Sequence, residues 1–125
     1  MQNKAQILVV DDDPQVLNLL SLLMQKKGFS CACASTGKEA LSKIRGSNSI
    51  KLVLLDIVLP DTDGDKLLEQ IHAISPSLNV IMITGGSDLE IAKKCLEMGA
   101  KDYITKPFDL EYLETSVIAD IVPLL

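Results

Sequence analysis

Aromatic rings are scarce in this chain of 125 residues: it has no tryptophan, and two tyrosines and two phenylalanines make up 3% of it. Apolar residues reach 47%, so the core must be aliphatic, built from Leu, Ile, Val and Ala. Basic clusters are missing too. Lys and Arg total 12 against 17 Asp and Glu, a formal net charge of -5, and the longest basic runs are pairs such as Lys26-Lys27 and Lys93-Lys94. That composition argues against direct nucleic-acid binding. The three cysteines, Cys31, Cys33 and Cys95, are too few and too odd in number for a disulfide framework, which points to a reducing compartment. Cys31 and Cys33 would share one face of a strand; with no second pair of ligands at zinc spacing, they read as small core residues. No stretch approaches the ~18 apolar residues of a membrane span. MQNKAQ leads into only four apolar residues, too few for a secretory signal. A cytoplasmic protein without a membrane partner is expected, and the length suits one domain.

What the chain does have is alternation. Short apolar runs at residues 7–10, 52–55 and 80–83, with weaker ones at 30–34 and 102–105, read as strands buried on both faces. Between them lie helical patterns. Val16, Leu19, Leu20 and Leu23 mark the first, with Asp13 as cap, Pro14 at the first position and Gly28 after the end. Thr36 to Glu39 is a capping box ahead of Ala40, Leu41 and Ile44. Leu67, Leu68, Ile71 and Ile74 mark the third helix, stopped by Ser75-Pro76. Ser87 to Glu90 is a second capping box before Leu89, Ala92, Cys95 and Leu96, with Gly99 at the stop. Asp109 opens the last helix, with Leu110, Leu113, Val117 and Ile121 on one face. Repeated strand-then-helix units imply an α/β fold: a doubly wound parallel sheet with helices on both faces, one domain over residues 1–125 with a core of about 6–121.

In such sheets the functional crevice lies beyond the C-terminal strand ends. Strand one ends in Asp11, Asp12 and Asp13, strand three in Asp56, strand four in Thr84 and strand five in Thr105-Lys106-Pro107; strand two delivers nothing ionisable. Carboxylates meeting there repel unless a cation joins them, and a hard divalent ion with oxygen ligands suits the task. Lys106 adds a fixed positive charge and Thr84 a hydroxyl. A carboxylate held among a cation, a lysine and a hydroxyl can act as a nucleophile toward a phosphoryl group, a transfer that mostly needs positioning and charge neutralisation.

The blocks ILVVDDD, LVLLDIVLPDTDG, VIMITGG and AKDYITKPF resemble, in order, the four signature blocks of the response-regulator receiver domain of two-component systems. The resemblance implies the flavodoxin-like five-stranded sheet in order 2-1-3-4-5, for which the receiver fold is itself a standard example. It implies that Asp56 is the phosphoacceptor, that Asp11 and Asp12 hold Mg²⁺ (or Mn²⁺) with Asp56 and the Val58 backbone carbonyl, and that Lys106 pairs with the phosphoryl group. Thr84 is then the switch hydroxyl and Tyr103 the aromatic that changes rotamer with it. Pro107 follows Lys106 in a cis peptide that aims the lysine inward, and Pro60 and Gly64 shape the loop after the acceptor. The implied partners are a sensor histidine kinase or histidine phosphotransfer protein as donor, and a downstream effector reached through the face of the fourth helix, fifth strand and fifth helix. Homodimerisation stays open, because the last helix lacks the basic run of receivers that dimerise there. The protein is expected to be a signalling phosphoacceptor rather than an enzyme, with slow self-dephosphorylation, because neither Val58 nor Gly86 can orient a hydrolytic water.

Other readings compete. A haloacid-dehalogenase-like phosphatase would use Asp11 as nucleophile with Asp13 following, but Gln15 stands where that pattern has Thr or Val. An FMN-binding flavodoxin needs a hydroxyl-rich phosphate loop where three carboxylates stand. A pseudo-receiver would have lost the acceptor, the acidic pair or the lysine. His72, the lone histidine, reads as a solvated helix residue. Asp61, Asp63 and Asp65 read as a solvent-facing acidic loop, since the EF-hand ladder is incomplete.

Overall fold

The structure, a computed structural model, describes residues 5–113 together with 115, 119 and 123. Strands β1 (Ile7–Val10), β2 (Cys31–Ala34), β3 (Leu52–Asp56), β4 (Asn79–Thr84) and β5 (Asp102–Thr105) alternate with helices α1 (Pro14–Lys26), α2 (Gly37–Arg45), α3 (Gly64–Ile74), α4 (Leu89–Glu97) and α5 (Leu110–Tyr112). All strand pairs are parallel and the sheet order is β2-β1-β3-β4-β5. This is the expected flavodoxin-like arrangement. The chain reverses its winding at β1, which pairs with β2 on one side and β3 on the other. The register sets Val10 beside Leu55, Asp56 beside Ile83 and Thr84 beside Thr105, so the polar strand ends arrive at one edge.

The unbroken apolar runs are explained by two cores, one on each face. Leu8, Val10, Val53 and Leu55 point with α2, α3 and α4 into the larger cluster; Ile7, Val9, Leu52 and Leu54 point with α1 and Leu113 into the smaller. All four residues of β1 have no exposed area. Each fully buried aliphatic side chain stabilises the fold by about 1.5–3 kcal/mol, so neither face of these strands can be polar.

Helix starts and stops follow the local chemistry with some corrections. Asp13 caps α1 by accepting the Gln15 N–H at 2.9 Å, and Pro14 takes the first position. Gly28 and Gly99 adopt φ of +94° and +110°, conformations an L side chain resists, and each ends its helix. The buried stripe of α1 is Leu20, Leu23 and Met24 with Val16 and Leu17 half-buried; Leu19, expected inside, is 38% exposed. Ile74 and Leu96 likewise lie at the exposed edges of their stripes. At α2, Thr36 Oγ1 accepts the Glu39 N–H at 3.0 Å, but the Glu39 carboxylate takes the Ser35 N–H at 2.7 Å rather than the Thr36 amide. The Ser87 capping box does not form. Gly86–Asp88 make a 3₁₀ turn, and α4 starts after Asp88 with no side-chain cap bond.

His72 is half-buried rather than solvated: its Nε2 lies 3.1 Å from the Leu78 carbonyl, and its ring covers Gly99. The cysteines are free; Cys31 and Cys33 are half-buried on an edge strand, and only Cys95 is fully inside. Burial, then Cys33, pushes the Cys31 thiol up to about 11, which makes it a poor nucleophile. Of the face expected for the last helix, Leu113 is buried; Val117 and Ile121 lie outside the described residues. No helix among the described residues is long and apolar enough to cross a membrane.

Candidate functional site

Three strand ends build the site. Asp11 follows β1 and is fully buried; its Oδ1 accepts the Asp13 N–H at 2.9 Å. Asp56 closes β3 and is 6% exposed; its Oδ1 accepts the Val58 N–H at 3.3 Å. Lys106 follows β5 and reaches both acids, its Nζ standing 2.8 Å from Asp11 Oδ2 and 3.3 Å from Asp56 Oδ2. Asp12 lies exposed at the mouth. One carboxylate oxygen from each of Asp11, Asp12 and Asp56 falls within 4.8 Å of the others, the one such acidic group among the described residues.

The electrostatics are unbalanced. Three carboxylates face one ammonium, a formal local charge of -2 (1 − 3). Burial, then the Asp11 charge, pushes Asp56 up to about 6, against the pull of Lys106 and the Val58 N–H. Burial works against the Lys106 ammonium, yet its close contact with Asp11 and the charges of both carboxylates hold it above the usual lysine range. Asp11 Oδ2 is buried beside that ammonium but has no aligned hydrogen-bond donor. Two buried carboxylates thus share one ammonium, and an added cation would relieve the remaining negative charge.

Comparison with known proteins decides what this edge belongs to. The family model described as "Response regulator receiver domain" matches residues 7–118. The chain belongs to that family. The receiver is 36% identical over 111 residues to the transcriptional regulatory protein ZraR of Escherichia coli (strain K12), covering 89% of this chain and 25% of that protein. It is 37% identical over 112 residues to the transcriptional regulatory protein MalR of Bacillus subtilis, covering 89% of this chain and 48% of MalR. The chain therefore spans a quarter to a half of these curated relatives. A CheY-like receiver domain protein from Methanospirillum hungatei superposes with a TM-score of 0.85 at 34% identity, covering 96% of this chain and 95% of that one. The receiver domain of NtrX from Brucella abortus gives 0.83 at 34% identity, covering 91% and 94%.

The phosphatase alternative finds no support. Asp13 would have to face the phosphate beside Asp11, but its carboxylate is committed to the Gln15 amide as helix cap.

The remaining expected residues lie on β4, β5 and the loops that follow β3 and β5. Thr84 is fully buried at the end of β4 and its hydroxyl donates to the Gly85 carbonyl at 2.7 Å. Tyr103 is half-buried in β5, beside Met82, against the larger core. The Lys106–Pro107 bond is cis. Val58 is exposed and bridges antiparallel to Asp63 in the loop after Asp56. The bonds closing that loop, Leu59 N–H to Thr62 O and Gly64 N–H to Ile57 O, leave the Val58 carbonyl out. Pro60 is exposed at its bend. Gly64 is required: a Cβ there would stand 2.6 Å from Ile57 Cα, with the Asp56 carbonyl at 3.0 Å.

The structure adds features that pattern alone missed. Asp61 is not idle in solvent; it accepts the Gly37 and Lys38 N–H groups at 2.8 and 3.0 Å. Asp65 pairs with Lys94 of α4 at 3.1 Å. A groove of about 360 Å³, lined by Val16, Leu19, Pro107 and Phe108, runs beside Lys106. A larger cavity of about 490 Å³ lies at the opposite edge of the sheet, lined by Ile44, Ile50, Ile74 and Leu78. None of its lining residues is acidic, and it is remote from the chemistry.

Proposed function

We propose that this receiver takes a phosphoryl group onto Asp56 from a phosphohistidine on a sensor histidine kinase or a histidine phosphotransfer protein. The observation that carries the reading is the meeting of Asp11, Asp12, Asp56 and Lys106 at one strand edge. An Asp56 oxygen attacks phosphorus, the P–N bond breaks, and the imidazole nitrogen keeps the electron pair. An acyl phosphate then replaces the carboxylate. The residues fit a hard divalent cation, because the donor set is all oxygen and Asp11 Oδ2 lacks an aligned donor. Asp11, Asp12, Asp56 and the Val58 carbonyl would hold Mg²⁺ or Mn²⁺, which when bound neutralises charge on the incoming phosphoryl oxygens. Lys106 supplies the opposing positive charge.

The groove beside Lys106, with Leu19 and Leu22 exposed on α1, suits an amphipathic helix that presents the phosphohistidine. Thr84 must release the Gly85 carbonyl to reach the new phosphate, and that exchange biases a two-state equilibrium read at Tyr103. The output face is α4, β5 and α5, toward an effector domain or protein in the cytoplasm, with a second copy of the chain as the other candidate for that face. The domain acts as a signalling phosphoacceptor with slow self-hydrolysis.

Acetyl phosphate with Mg²⁺ followed by peptide mass spectrometry tests the acceptor. Label on Asp56, lost in Asp56→Asn and on chelation, is expected; label on Asp11 defeats the reading. Thr84→Ala should still be labelled yet lose the beryllofluoride-induced NMR shifts at Tyr103, and retention of those shifts would remove the switch.

A further inference from the structure

Asp61 lies on the loop that follows the acceptor, and its carboxylate reaches another element. Oδ1 accepts the Gly37 N–H at 2.8 Å and Oδ2 the Lys38 N–H at 3.0 Å, across 24 and 23 residues of sequence. Those are the first two amides of α2. Thr36 takes the third, on Glu39. A helix start leaves several amides unpaired, and a local residue ordinarily satisfies them. Here part of the cap comes from the loop of a neighbouring strand. The packing is correspondingly close: a Cβ at Gly37 would stand 2.5 Å from Thr62 Cγ2. At its far end the same loop is pressed against the backbone of Ile57 through Gly64. Val58 lies in the stretch between Ile57, which Gly64 packs against, and Asp61, which α2 holds. The Gly37 and Lys38 amides also hold the Asp61 carboxyl below its usual range, so it stays an anion at neutral pH.

We infer that Asp61 is a positioning residue: it ties the acceptor loop to the first turn of α2 and so sets where the Val58 carbonyl stands relative to Asp56. The inference rests on the cation-assisted reading above and adds a residue to it. The plainer role is a simple cap for α2. Thr36 separates the two, because its hydroxyl caps the same helix start through a bond confined to α2, from the Glu39 N–H.

Asp61→Ala, Asp61→Asn and Thr36→Ala in the full chain provide the test. The first readout is hydrogen exchange of the Leu59 and Gly64 amides, which close the loop, in metal-free protein. The second is Mg²⁺ titration followed by amide NMR shifts. Asp61→Ala should speed exchange at both amides by about tenfold. It should also raise the apparent Mg²⁺ Kd by roughly threefold to tenfold, less than the loss typical of groups bonded directly to a metal ligand. Asp61→Asn, which keeps one acceptor, should fall between. Thr36→Ala should lower the melting temperature yet leave both readouts within about twofold of the parent protein, because the cap it removes is local. Unchanged exchange in Asp61→Ala, or equal effects from Thr36→Ala, would overturn the inference. A parent chain that binds no Mg²⁺ would instead sink the cation reading, with the exchange comparison still deciding the clamp.

Discussion

Helices α2 and α4 start from the same edge of the sheet, yet their first turns are held in opposite ways. At α2, the amides of Gly37, Lys38 and Glu39 are all taken by side chains, from Asp61 and Thr36. At α4, a 3₁₀ turn leads in and Asp88 gives no side-chain cap bond. The first arrangement borders the loop after Asp56, the residue proposed to receive the phosphoryl group. The second borders Thr84, the residue proposed to report that event by giving up its bond to the Gly85 carbonyl. Elements that move come from the weakly held part of a structure. The receiver is thus clamped beside the proposed acceptor and more loosely tied beside the proposed switch.

The largest effect should come from breaking the clamped side. Gly64→Ala places a Cβ against backbone atoms of Asp56 and Ile57 that cannot yield, and should cost about 3 kcal/mol in urea unfolding. Gly86→Ala on the loose side meets nothing within 4 Å; its change should stay within about 0.5 kcal/mol. Equal losses would mean that the two loops are held alike.

A middling effect should come from the buried acid. The Asp56 pKa rises from 3.8 to about 6 on folding, so its penalty is absent at low pH and grows as pH rises between those values. A shift of that size corresponds to ~3 kcal/mol at most, reduced by the coupling to Asp11 and partial access to water. Asp56→Asn should therefore stabilise the metal-free chain by about 1–2 kcal/mol near pH 8, and the gain should vanish near pH 4. Urea melts at the two pH values check it; a loss of stability at the higher pH would contradict the charge balance described here. Mg²⁺ should stabilise the parent chain more than this variant, by mass action.

The smallest effect sharpens the comparison at the helix starts themselves. Thr36→Ala should cost about 1 kcal/mol, whereas Asp88→Ala should change stability by less than about 0.5 kcal/mol. Thermal melts of the pair decide, and comparable costs would show that α4 is capped after all.

Much of this site was legible in the sequence because strand ends carry a simple rule. Asp11, Asp56, Thr84 and Lys106 each follow an apolar run, and a parallel sheet sends all of those ends to one edge. Helix α1 announced itself through Asp13, whose cap bond from the Gln15 N–H spans only two residues, and through Pro14 at the first position. What escaped was everything decided at a distance. Asp61 looks like one of several loop acids until the fold brings Gly37 and Lys38 to it across more than twenty residues. His72 looks solvated until the Leu78 carbonyl and Gly99 close over it. Ser87 and Glu90 have capping-box spacing, but the 3₁₀ turn at Gly86–Asp88 delays the helix. Leu19 misled in another way. It fits the apolar period of α1, but it lies at the edge of the stripe, beside the groove.

The scarcity of aromatic rings has a practical side. With no tryptophan, the intrinsic fluorescence of the chain comes from Tyr103 and Tyr112 alone. Tyr103 is half-buried in β5, while Tyr112 is 49% exposed. A water-soluble quencher will silence Tyr112 first and leave an emission dominated by Tyr103. The molecule thus carries its own optical probe in β5, against the larger core, with no dye attached and no residue replaced.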